Sequence, residues 1–160
     1  MNKKTKTNIL MIILFILIPI IPGFLISVPL DIPGKYATIT KPPLAPPPIV
    51  FPIVWSILYI LMGVGSYLAI KESIIKDEKL SKVVAPYLIQ LILNLLWTPV
   101  FFGLSSYLAG SVICVLLVFA IIWMIAAFYK VSRPAAYLQI PYLIWSIFAT
   151  YLSISIYLLN

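Results

Sequence analysis

The chain has no histidine and a single cysteine, Cys114. The first absence removes imidazole acid–base chemistry and most zinc sites. The second removes every intramolecular disulfide. Acids are nearly as scarce: Asp31, Glu72, Asp77 and Glu78 are the four in 160 residues, and each falls in a stretch that reads as a loop. No Ser/His/Asp, Cys/His or paired-carboxylate set can be assembled from this inventory, and no metal site is expected. No charged residue lies deep in an apolar run, where an ion or proton pump usually carries one, so active pumping is not expected either.

What is present is apolar. Hydrophobic residues make up 63% of the chain and charged residues 9%, with a mean hydropathy of +1.14. A soluble domain of this length cannot hide that much apolar surface. The composition therefore predicts an integral membrane protein, folded as one all-α bundle over residues 1–160. The net charge of +7 comes from lysines and arginines at the ends of apolar runs. There they read as topology signals, and no nucleic-acid partner is expected.

Five runs are long enough to cross a bilayer as helices, which takes about 20 residues each: about 9–30, 49–70, 83–103, 107–128 and 135–158. Lys3, Lys4 and Lys6 precede the first run, as in a signal peptide. The run is too long for one, however, and Pro29-Leu30-Asp31-Ile32-Pro33 offers no small-residue cleavage site, so a retained helix is expected. Residues 71–82, "KESIIKDEKLSK", read as a hydrophilic connector and "GLSSYLAG" as a turn. Pro134 stops the fourth run or starts the fifth. Nine of the eleven lysines and arginines fall on the N-terminal side of the bundle, leaving Lys35 and Lys41 on the other. The positive-inside rule then predicts a cytoplasmic N-terminus, with the first loop and the C-terminus external, in a multi-pass protein of a bacterial cell membrane.

Three helical faces stand out. Gln90, Asn94, Trp97 and Phe101 recur at helical spacing in the third run. The second run carries Trp55, Tyr59, Met62 and Ser66. The fifth carries Pro141, Trp145, Phe148 and Leu152, with Ala149 beside them. Two readings of the amide pair stay open: hydrogen-bonding ties between helices, or a polar handle inside an aromatic cavity. Small residues at Gly65/Ala69 and Ala149/Ser153 permit close helix approach. Before the second run stands "KPPLAPPPIVFPIVW", with Pro46, Pro47 and Pro48 in succession. Proline fixes φ and removes a donor, so residues 31–48 read as a stiff lid, or simply a rigid connector, and Pro52 suits the first turn of a helix.

"KPPLAPPPIVFPIVWSILYILMG", "QLILNLLWTPVFF" and "PYLIWSIFATYLSISIYLLN" together resemble the translocator protein family, the TspO/MBR tryptophan-rich sensory proteins that include the peripheral benzodiazepine receptor. The resemblance runs from about Tyr36 to the end of the chain. It implies a five-transmembrane-helix bundle, often dimeric, that binds porphyrins and hydrophobic drug-like ligands in a pocket beneath the first loop. Animal members are reported to bind cholesterol, and some bacterial members to break down protoporphyrin in light. Matching the motifs residue by residue implies a pocket of Tyr36, Pro46, Trp55, Asn94, Trp97, Trp145 and Ala149, with Cys114 and Leu117 lining it from the fourth span. Tyr59, Gln90 and Phe148 join this set from the helical faces. Two departures matter. Leu44 stands where the family's "KPxWxPP" pattern has tryptophan, and no basic residue follows Tyr151 to complete a sterol motif, so sterol binding is not expected.

Two functions of different class follow. One is a membrane sensor or carrier that binds a tetrapyrrole without any resident cofactor. The other is a light-dependent porphyrin-degrading activity, in which the indoles of Trp55 or Trp145 supply electrons and no general acid or base is needed. A third is a structural membrane partner.

Overall fold

A computed structural model of the chain describes residues 3–160, with side chains from residue 7 onward. The side chains of Lys3, Lys4 and Lys6, used in the topology count, lie outside the described residues. All regular structure in the described residues is helical. Helix α1 (Lys3–Ser27) runs through a short 3₁₀ turn, Val28–Leu30, toward α2 (Ile32–Thr38). Then follow α3 (Val50–Ile75), α4 (Ser81–Thr98), a wide turn at Pro99–Gly103, α5 (Tyr107–Val131), α6 (Arg133–Tyr137) and α7 (Ile140–Leu159). Five stretches are long and apolar enough to span a membrane: Thr7–Leu30, Val50–Ile75, Ser81–Gly103, Tyr107–Val131 and Arg133–Leu159. The protein is a multi-pass integral membrane protein built as a five-helix bundle.

The boundaries differ from the expected ones for local reasons. The stretch 31–48 is not all loop, because Asp31 starts a helix inside it. Its side chain accepts from the Gly34 N–H at 3.3 Å, and Pro33 sits in the first turn where its missing donor costs nothing. The irregular lid is therefore 39–49. The connector expected at 71–82 shrinks to 76–80, since nothing breaks α3 before Asp77, whose φ is +54°. The fourth and fifth spans are joined almost directly. A kink at Leu138 and Gln139 separates α6 from α7, with Pro141 in the first turn of α7.

Neighbouring helices run α1–α3–α7–α5–α4 and back to α1, with α6 seated against α3 and α5. Within a bilayer, lipid is as apolar as leucine, so close packing and interhelical hydrogen bonds hold such a ring together. Close packing is clearest at Gly63, where a Cβ would lie 2.5 Å from the Ile16 Cα. Only glycine lets α3 touch the backbone of α1 there. The core holds Leu58, Met62, Ile121, Met124, Phe128 and Tyr142. A second cluster, Tyr36, Ile39, Phe101, Phe102 and Ile156, closes the end of the bundle beneath α2.

Candidate ligand-binding site

Beneath α2 and the start of α3 lies a cavity of about 760 Å³. Its walls come from α1 (Ile20, Gly23, Phe24), α2 (Tyr36), the first turns of α3 (Phe51, Trp55, Tyr59) and the end of α4 (Asn94, Trp97). Cavities that hold drug-sized ligands span about 300–1,000 Å³ and are apolar with a few polar groups. This one has that character. Trp55 and Tyr59 lie 5.4 Å apart and tilted, Trp97 stacks on Phe101 at 5.3 Å, and Tyr36 meets Phe51 edge-on at 5.2 Å.

One polar chain ties the floor together. The Tyr59 hydroxyl donates to Asn94 Oδ1 (3.0 Å), and Asn94 Nδ2 donates to the Tyr142 hydroxyl (3.0 Å). That hydroxyl in turn donates to Gln90 Oε1 (2.9 Å), and Gln90 Nε2 points at Met62 Sδ (3.4 Å). Gln90 and Tyr142 have no exposed surface, so an unpaired group there would carry the full desolvation penalty. The chain joins α3, α4 and α7. Gln90 thus serves as a tie between helices, while Asn94 is both a tie and part of the cavity wall. By contrast, the buried Trp97 Nε1–H has no hydrogen-bond partner among the described residues. Its ring borders the cavity, but the nitrogen itself has almost no accessible surface.

Of the ligand-binding residues expected from the sequence, Tyr36, Trp55, Tyr59, Asn94 and Trp97 border this cavity, and Pro46, Gln90, Cys114, Leu117, Trp145, Phe148 and Ala149 do not. Pro46 acts behind the wall, its carbonyl accepting from the Tyr36 hydroxyl at 3.0 Å. Burial raises the Tyr36 phenol above its ordinary pKa, keeping it a neutral donor. Trp145 lies beyond Phe51, ring centres 6.1 Å apart, and packs on Phe148 at 5.5 Å. Cys114 and Leu117 are buried on α5, with Cys114 Sγ 3.5 Å from the Ser153 hydroxyl of α7. Ala149 is half-buried on α7. Phe51 is one wall residue that sequence reasoning missed. Its signal was available, because Phe51, Trp55 and Tyr59 recur at i, i+4 and i+8.

The lid is also held by the C-terminal half of α7. The Tyr151 hydroxyl of α7 donates to the Pro43 carbonyl (2.8 Å), and Asn160 exchanges two hydrogen bonds with the Thr40 backbone (2.9 and 3.1 Å). Proline carbonyls serve as acceptors here because the loop has few donors of its own. Leu44 stands at the tip with φ +69° and 81% of its surface exposed, away from the cavity.

The TspO/MBR family profile matches residues 11–159. The tryptophan-rich protein TspO of Chlorobaculum tepidum is 45% identical over 125 residues, covering 78% of each chain. Protein CrtK of Rhodobacter capsulatus is 34% identical over 130 residues, 80% of each chain. The human translocator protein is 41% identical over 119 residues, 74% of this chain and 70% of its own. By profile and relatives alike, the chain belongs to the TspO/MBR family.

Proposed function

We propose that the protein is a membrane sensor or carrier that binds porphyrins and flat hydrophobic drug-like molecules in the cavity beneath α2. The observation that carries this reading is a cavity of drug-ligand size walled by the rings of Tyr36, Trp55, Tyr59 and Trp97, with Asn94 as a polar group among them. A flat macrocycle gains area and ring contacts from Trp55, Tyr59 and Trp97, and the Asn94 amide offers one polar edge. The names borne by relatives, sensory and translocator, fit binding better than turnover. In this reading the N-terminus is cytoplasmic and the lid faces outward, as the charge count requires. A reporter that works only in the cytoplasm, if active when fused after Asn160, would reverse that orientation.

The test is a titration of the purified chain with protoporphyrin in the dark. Saturable quenching of tryptophan fluorescence is expected, with Trp97→Phe weakening affinity severalfold through loss of the larger ring. Absence of saturable binding would sink the reading and leave a structural membrane partner.

A second reading rests on the place of Trp55 in the cavity wall. Under illumination an excited porphyrin would take one electron from this indole, which is oxidised as the ring is reduced. Trp55→Phe should then slow bleaching far more than Trp145→Phe, since Phe51 stands between Trp145 and the cavity. Equal bleaching in the two variants and the wild type would remove both indoles from the chemistry.

A further inference from the structure

The opposite end of the bundle carries a second concavity. A groove of about 680 Å³ lies between the end of α3, the end of α5 and the start of α6. It is lined by Glu72, Lys76, Tyr129, Lys130, Ser132 and Arg133, three cations against one carboxylate. Among the described residues the one ion pair is Lys82–Glu78, elsewhere on this end, so none of the three groove cations is held in an ion pair.

Two of those cations are held in place. Lys76 Nζ donates to the Val131 carbonyl at 2.6 Å, and the Arg133 guanidinium lies 5.5 Å over the Tyr129 ring. One bond leaves Lys76 two further donors, and a stacked guanidinium still offers its fork to an oxyanion. Preordered groups lose little freedom when a ligand arrives. Two other lysines of this end are placed differently: Lys71 lies over Tyr67 and Lys82 pairs with Glu78, and neither lines the groove.

Depth identifies the oxyanion. Tyr129 and Tyr137 face outward beside the groove, 45% and 56% exposed, in an edge-to-face pair at 6.1 Å. Outward tyrosines at the end of a span mark the membrane–water interface, where lipid headgroups lie. The apolar side chains of Ile74 and Ile75, one turn or less before Lys76, are also exposed. The cations therefore stand at phosphate level rather than in bulk water. We propose that this groove holds the phosphate group of an anionic membrane lipid, with Arg133 and Lys76 contacting the phosphate oxygens and Lys130 adding attraction at longer range.

The experiment uses the full chain in phosphatidylcholine nanodiscs doped with phosphatidylglycerol, with retained lipid counted by native mass spectrometry. Arg133→Gln and Lys130→Gln should each weaken phosphatidylglycerol retention by about fivefold, the usual worth of one basic residue near an anionic surface. Lys130 is exposed, so its loss acts without disturbing the fold. Glu72→Gln should tighten retention by a similar factor, a gain that misfolding cannot imitate. Equal retention in wild type and all three variants would overturn the proposal and leave the cations as topology signals alone. Weaker retention in Glu72→Gln would also overturn it, in favour of an amine-bearing headgroup. Displacement of the lipid by excess inorganic phosphate would overturn it in favour of a soluble anion.

Discussion

Trp55 and Trp145 carry the same indole in opposite settings. Trp55 stands on the wall of a cavity that α1 only loosely screens, whereas Trp145 is packed among Phe51, Phe148 and the α5–α7 core. The α5–α7 side is dense: Cys114, Leu117, Ile121, Leu152 and Ile156 are all buried. The α1 side is not. Among its described residues α1 buries Pro19 alone, and Ile9, Leu10, Ile13, Leu14, Leu17, Ile18, Ile21 and Leu25 are exposed. The lesson is that one bundle has divided its labour, with one half packed as scaffold and the other left open to receive a ligand.

The strongest way to break that division is at Gly63. A valine there meets the Ile16 backbone, which cannot give way as a side chain can, and α1 is forced off α3. We expect a loss of about 3 kcal/mol by thermal unfolding, the upper range for overpacking, together with loss of the cavity. If the halves are independent, Cys114 stays closed to thiol reagents in this variant. Reactive Cys114 would show that the two sides yield together.

Tyr142→Phe tests the bond between the halves. It leaves Gln90 Oε1 and Asn94 Nδ2 without partners and should cost about 1–3 kcal/mol. The loss should appear with or without cavity ligand, because the network belongs to both sides. A change below about 0.5 kcal/mol would mean that the amides find other partners.

The smallest effect sharpens the comparison. Tyr36→Phe and Tyr151→Phe each remove one hydroxyl bond to a lid proline, worth about 0.5–1.5 kcal/mol. Tyr36 lines the cavity and Tyr151 does not. Ligand release should quicken severalfold in the first variant and stay near wild type in the second, as read by stopped-flow dissociation. Equal release rates would mean that the lid moves as one rigid piece.

Much of this architecture was legible in the chain. Hydropathy located all five spans, because backbone groups in lipid must be satisfied within helices and apolar length alone marks them. Helical spacing brought out Trp55, Tyr59, Asn94 and Trp97. The wall supplied by α1 was not legible, since a helix apolar on every side has no periodicity to name its inner face. Tyr142 was passed over because one tyrosine among aliphatic residues looks like interfacial dressing until its two amide partners on α4 are seen across the bundle. Helix α2 had a signal that the prolines masked: an aspartate followed two residues later by Pro33, the usual start of a short helix.

The proline lid also decides how its motion can be watched. Between Thr40 and Ile49, only Lys41, Leu44 and Ala45 carry an amide hydrogen. Amide exchange and amide-detected NMR are therefore nearly blind to the segment expected to move most when a ligand enters or leaves. The phenols that grip its carbonyls are not. Fluorotyrosine at Tyr36 and Tyr151 would report the making and breaking of these two latches directly, one signal at Pro46 and one at Pro43.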